Sequence, residues 1–218
     1  MVMPNELEIV IRKIKKHIQQ FEDPSVTQIS NMRKDSYEVL ISCILSLRTR
    51  DETTLVASRR LFKLARTPGK MIKLTDKQIE EAIYPVGFYK TKTRNIRKIN
   101  QILLDKYDGK VPEKFEELLE LPGVGRKTAN IVMVYGFEKE GLPIDTHCHR
   151  IPNRMGWIKT KTPEETEMVL RKILPKGLWN EFNNTFVTFG QNVCKPVKPQ
   201  CFLCPVEKYC KYEDKTSG

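Results

Sequence analysis

Leu121-Pro122-Gly123-Val124-Gly125-Arg126-Lys127 lies between two helical patterns. Gly123 and Gly125 permit a tight turn and let the backbone approach a ligand closely. The helix that follows starts with unpaired N–H groups facing outward. Such an end binds phosphate through its donors and its dipole. A bare Gly-x-Gly is most often only a turn. Flanked by Leu-Pro and a basic helix start, it reads as two helices joined by a hairpin, a unit that holds DNA backbone without reading sequence. It is not a Walker loop, because Gly-Arg-Lys-Thr lacks the Gly-Lys-Ser/Thr order. Gly123, Val124, Gly125 and Arg126 are the candidate contacts of this hairpin.

Lys127 stands in the first turn of the second helix, where most lysines are simply solvated. Two neighbours mark it as a candidate nucleophile. The helix start and Arg126 both disfavour the ammonium and are expected to lower its pKa. A neutral amine can attack an electrophilic carbon and form a Schiff base. Eighteen positions later comes Ile144-Asp145-Thr146-His147-Cys148-His149-Arg150. Asp145 precedes a helical pattern from Thr146 to Met155 and reads as its N-cap. A capped carboxylate stays ionised, and a fixed anion beside a sugar carbon stabilises an oxocarbenium ion as it develops. His147, Cys148 and His149 could suggest a metal site, but neighbouring helix residues point in different directions.

Cys194, Cys201, Cys204 and Cys210 close the chain with gaps of six, two and five residues. The spacing is too uneven for two ordinary zinc knuckles. In a reducing compartment such a density of thiolates usually holds a metal, and here it reads as an iron–sulfur cluster. Cys43 lies in an apolar helix and reads as core.

The chain has 218 residues, with 38 basic against 27 acidic side chains and a net charge of +11. That length suits one domain or two small ones with a real core. The charge favours a polyanionic partner, although a basic protein without one has the same total. The first segment carries charges throughout, without the order of a signal peptide. The longest mostly apolar run, Val39–Leu47, is far short of the roughly twenty residues that cross a bilayer. The expected location is therefore the cytoplasm or an equivalent reducing space, where disulfides are disfavoured.

The pattern is helical almost throughout. Leu7, Val10, Ile11, Ile14, Ile18 and Phe21 form one apolar stripe. Asp35 with Glu38, Thr75 with Gln78 and Thr162 with Glu165 are capping-box-like starts, and Pro163 suits a first helical position. Pro112 is expected to open a short helix ending at Leu121. Breakers fall at Pro85–Gly87, Asp108–Gly109, Pro122–Gly125 and Gly141–Pro143, the last a plausible lobe boundary. The expectation is an all-α fold of about ten helices without appreciable sheet. The tail after Cys210 lacks apolar anchors and is expected to fray.

The combination of LPGVGRKTAN (121–130), IDTHCHRIPNRMGW (144–157) and Cys-x6-Cys-x2-Cys-x5-Cys resembles the endonuclease III family of helix-hairpin-helix DNA glycosylases. The resemblance runs from the segment around Tyr37–Asp51 to Cys210. It implies two helical lobes: a six-helix barrel at 29–139, and a second lobe joining 1–28 to 140–218. Double-stranded DNA bearing damaged pyrimidines or abasic sites would bind in a cleft between them, with the protein acting as a monomer. The family's nucleophile falls on Lys127 and its aspartate on Asp145. The ligands of its [4Fe–4S] cluster fall on Cys194, Cys201, Cys204 and Cys210. The cluster would fix a basic loop carrying Lys195 and Lys198 against phosphate, and His147 is counted with the DNA contacts.

The implied activity is that of a bifunctional glycosylase and AP lyase in base excision repair. Phe88 matches an apolar residue that enters the duplex, as an aromatic wedge can, though a core Phe under a turn has the same pattern. Arg48 stands where many relatives have Gln, which fills the space left by the flipped base. Arg is longer and forks its hydrogen bonds, for example to guanine. Asp51 also matches, with helix capping as its simplest role. The alternatives are a mismatch glycosylase of the same superfamily, whose members commonly lack the lysine, and a non-catalytic DNA-binding module with zinc on the cysteines.

Overall fold

The computed structural model describes residues 4–33 and 35–217. Among them are twelve α-helices and no strand, so the fold is all-α. The contacts divide the chain into two compact units: Ser25–Lys139, and Met1–Pro24 with Glu140–Gly218. Residues 25–28, expected with the N-terminal segment, belong to the first of these. They open α2 (Ser25–Arg33), where Ser25 and Thr27 are buried and the Ser25 hydroxyl donates to Asp51 at 2.6 Å.

The unit Ser25–Lys139 is organised around α3 (Ser36–Ser46). Every residue from Tyr37 to Leu45 is buried. A helix with no polar face needs neighbours on every side. These are α2, α4 (Asp51–Leu64), α7 (Tyr89–Tyr107), and α9 (Arg126–Ile131) with the π-turn Val132–Gly136 that continues it. Asp35 starts α3 by accepting the N–H groups of Tyr37 and Glu38 at 2.9 and 3.0 Å. Short helices α5 (Pro68–Met71) and α6 (Asp76–Ile83) complete the packing on α7 and α4. At the start of α6 the capping box is complete. Gln78 N–H donates to Thr75 Oγ1 at 3.2 Å, and Thr75 N–H to Gln78 Oε1 at 2.8 Å. Helix α8 (Phe115–Leu119) begins three residues after Pro112, with Lys114 rather than the proline at its cap.

The other unit joins α1 (Pro4–Ile18) to α10 (Thr146–Arg154), α11 (Pro163–Ile173) and α12 (Trp179–Asn192). The stripe on α1 is buried from Leu7 to Ile18, with Phe21 partly buried beyond it. Helix α12 receives both α1 and α10. Its Phe182 and Phe186 rings stack with centroids 4.1 Å apart, and Trp157 meets Phe186 edge-on at 5.9 Å. At α11 the box is only half made. Thr162 Oγ1 accepts from Glu165 N–H, but the Glu165 carboxylate takes Lys161 N–H at 2.7 Å.

The described part of the tail after Cys210, residues 211–217, has anchors where none were expected. Lys215 pairs with the Glu207 carboxylate at 2.5 Å, Cys201 N–H donates to Thr216 Oγ1 at 3.3 Å, and Arg154 lies 4.6 Å over the Tyr212 ring. Polar and cation–π anchors replace the apolar ones the segment lacks. Among the described residues no helix is long and apolar enough to cross a membrane.

Candidate active site

In the unit Ser25–Lys139, the hairpin joins α8 to α9. Gly123 has φ +79°, which calls for glycine, and a Cβ there would stand 2.8 Å from the Asn95 amide, whose side chain would have to shift. Gly125 is different: a Cβ would meet nothing within 4 Å, and its φ of −102° is ordinary. It is the N-cap of α9 and brings no side chain to cap it. Val124 is buried and pins the turn, its N–H donating to Leu121 O at 3.0 Å. Arg126 stacks 5.0 Å over Phe115, and Lys127 beside it is exposed. Behind Lys127 lies Cys43 of α3. Burial pushes that thiol up to about 12, with the Lys127 ammonium pulling the other way. Cys43 is fully buried and inert, as a core residue should be.

Arg48 and Phe88 come together although forty residues separate them. Both have left-handed backbone, φ 53° and 56°, and the Arg48 guanidinium lies 5.8 Å from the centre of the Phe88 ring. Phe88 is 64 % exposed, so it is not a core residue under a turn. Behind the pair lies a residue that sequence reasoning passed over. Lys92 is 4 % exposed, and its ammonium donates to Leu45 O at 2.7 Å, Leu47 O at 2.5 Å and Thr49 Oγ1 at 3.0 Å. Burial pushes this ammonium down to about 8. Asp51 is not the cap of α4. Arg50 holds that position, and Asp51, in the first turn, accepts the Ser25 hydroxyl.

In the second unit, Asp145 is the N-cap of α10. One oxygen, Oδ1, accepts His147 N–H at 2.9 Å and Cys148 N–H at 2.8 Å. Two backbone donors on one oxygen hold the carboxylate in a single orientation. His147 Nδ1 lies 3.0 Å from Arg150 Nη2. Its place depends on Gly190 of α12, where a Cβ would stand 2.9 Å from the His147 Cβ and closer still to the ring. A glycine inside an aromatic helix was the available signal for this close approach. His149 is held separately, 2.7 Å from the Thr166 hydroxyl, and Cys148 is buried toward Asn183. The three neighbours do not converge.

The four late cysteines do share one space. Their thiols are free and line a small cavity of about 30 Å³, partly open to solvent, with Ile151, Arg154, Phe189 and Val206. Burial pushes the Cys204 thiol up to about 11, and the charges of the other three act in the same direction. Burial also raises Cys210. Positive charge beside Cys204 and Cys210 favours their thiolates against that burial. Arg154 supplies part of the surrounding positive charge, with Nη1 3.7 Å from Cys194 Sγ, and it also donates to Lys195 O and Pro196 O at 2.7 Å. Arg150 donates to Cys194 O at 2.7 Å. Lys195 is partly buried in this loop, and Lys198 is exposed with φ 51°. Among the described residues no three Cys, His, Asp or Glu side chains converge on a point that could hold one metal ion.

A helix-hairpin-helix on an all-α scaffold, followed by a capped aspartate and a four-cysteine loop, defines a class of DNA repair proteins. The chain belongs to the HhH-GPD superfamily of base excision DNA repair proteins, whose sequence profile matches residues 41–176. Within it, the chain is 50 % identical over 178 residues to endonuclease III of Thermotoga maritima, covering 82 % of this chain and 84 % of that one. It is 41 % identical over 177 residues to endonuclease III-like protein 1 of Gallus gallus, covering 80 % of this chain but 63 % of the longer relative. A solved endonuclease III trapped as a covalent intermediate with DNA superposes with a TM-score of 0.86 at 32 % identity, over 97 % of both chains. A thermostable thymine-DNA glycosylase, at 23 % identity and a TM-score of 0.76, shares the fold.

Proposed function

We propose that this protein is a bifunctional DNA glycosylase and AP lyase. It removes oxidised pyrimidines from double-stranded DNA and cuts the strand 3′ to the abasic site by β-elimination. The observation that carries the reading is Lys127, an exposed amine in the first turn of a helix whose cap is a hairpin glycine. The likeness to endonuclease III over most of the chain, including a relative trapped covalently on DNA, supports it.

The residues divide the work as follows. The hairpin, with Gly123, Gly125 and Arg126, grips phosphate, and the +11 charge holds DNA through the same ions. Extruding the base costs a few kcal/mol, which Phe88 and Arg48 offset by filling the stack. The Lys127 amine attacks C1′, and the C1′–N bond breaks with its electron pair leaving on the base. Loss of an amine proton and cleavage of the C1′–O4′ bond, with O4′ taking up a proton, open the sugar ring to an imine, which acidifies the 2′ hydrogen. Removal of that proton expels the 3′ phosphate and cuts the strand. Asp145, oriented by two backbone N–H groups, stabilises the positive charge that develops at C1′. His147 adds a contact to the DNA.

Cys194, Cys201, Cys204 and Cys210 would hold a [4Fe–4S] cluster, which supplies a rigid cross-link for the loop carrying Lys195 and Lys198. The donor set fits. In a four-iron cube each cysteine binds its own iron, so four sulfurs around one cavity need not converge as the ligands of one zinc do.

Three outcomes test this reading. On duplexes each carrying one oxidised pyrimidine, base release is followed by scission on the 3′ side. Release without scission points instead to a mismatch-type glycosylase, and no release to a binding module. Asn caps a helix as well as Asp does, so Asp145→Asn keeps the fold and removes the charge. Base release then falls roughly a hundredfold or more while DNA affinity changes little; equal losses in both make Asp145 a cap only. Purified protein is brown with about four irons per chain, and Cys204→Ser loses colour and iron together. Zinc in place of iron contradicts the cluster.

A further inference from the structure

Lys92 is a buried cation with no role in the chemistry above. It lies in the first turn of α7, and its backbone N–H donates to Phe88 O at 3.0 Å. Its ammonium spends all three donors on Leu45 O, Leu47 O and Thr49 Oγ1. Among the described residues its partners are thus two carbonyls and a hydroxyl, with no carboxylate. Leu45 and Leu47 lie at the end of α3, where carbonyls lack helical partners and favour a cation. A helix cap of this kind could stand anywhere in the fold. Here two of its three acceptors belong to the residues on either side of Arg48.

The link continues from Thr49 to the other turn. Gly87 N–H donates to Thr49 Oγ1 at 3.2 Å, and a Cβ on Gly87 would stand 2.8 Å from Arg48 O. One buried ammonium therefore ties the turn that bears Arg48 to the turn that bears Phe88. Both of those residues have strained left-handed backbone, which persists only where surrounding contacts impose it.

We propose that Lys92, acting through Thr49, is a positioning residue that holds Arg48 and Phe88 as one preassembled wedge for extruding the damaged base. The proposal rests on the glycosylase reading and adds to it a residue that touches no DNA. The clasp keeps the two side chains stacked before DNA arrives, so the duplex meets a rigid pair instead of two mobile ones. Rigid placement matters because a small displacement of a positioning group is costly to rate.

The test uses the full-length protein with its cluster. It measures single-turnover base release from an oxidised-pyrimidine duplex, and the fluorescence rise of 2-aminopurine beside the lesion as the base leaves the stack. The variants are Lys92→Met, Thr49→Val, Phe88→Ala and each clasp variant combined with Phe88→Ala. Lys92→Met and Thr49→Val each lower base release and fluorescence roughly ten- to a hundredfold. Neither adds to the loss already caused by Phe88→Ala, because all act on one element. Thr49→Val keeps the Lys92 ammonium on Leu45 O and Leu47 O and loses only the link through the hydroxyl to Gly87, so it decides the matter if Lys92→Met does not fold. Losses that multiply with Phe88→Ala overturn the proposal. So do clasp variants that release base at the unmodified rate while Phe88→Ala does not. Full release by Phe88→Ala removes the wedge itself, and failure of the unmodified chain to release any base defeats the glycosylase reading instead.

Discussion

A helix start leaves its first N–H groups without partners, and three of the candidate positions sit at such starts. At Asp145 a carboxylate oxygen fills the gap, and in doing so becomes a fixed anion. At Gly125 the cap brings no side chain to the start of α9. At Phe88 the residue before α7 is left-handed and exposed, so the helix start displays a ring. Each functional group is thereby placed by backbone geometry, with little left to side-chain rotation.

The helix starts are in turn held by two apolar bodies. Helix α3, buried from Tyr37 to Leu45, backs the hairpin helix through Cys43 and ends at the Arg48 turn. Helix α7 supports Gly123 through Asn95 and carries Phe88 at its beginning. In the other unit, α12 seats His147 on Gly190 and leads into the cysteine loop. A basic loop is fixed there by Arg154, Tyr212 and Lys215 around the four cysteines.

What could be read from the chain was what is local. The α1 stripe, the caps at Asp35, Thr75 and Asp145, and the hairpin glycines all depend on neighbours within a few residues. Long-range partners had no such signal. Lys92 reads as one more lysine on a basic helix, because its acceptors are backbone carbonyls more than forty residues away. The tail looked unanchored because its anchors are a guanidinium and a carboxylate, not apolar side chains. Residues 25–28 read as part of the N-terminal lobe because the partner that ties Ser25 to the other unit, Asp51, lies 26 residues further on. The stacking of Arg48 on Phe88 was invisible for the same reason, although each was singled out separately.

The central claim is that one lysine forms the covalent bond to the sugar. It is tested most directly by trapping the protein on an abasic duplex with borohydride and locating the adduct by peptide mass spectrometry. The sugar remnant is expected on the peptide containing Lys127, at that residue. A stable adduct on any other amine, or none, contradicts the account.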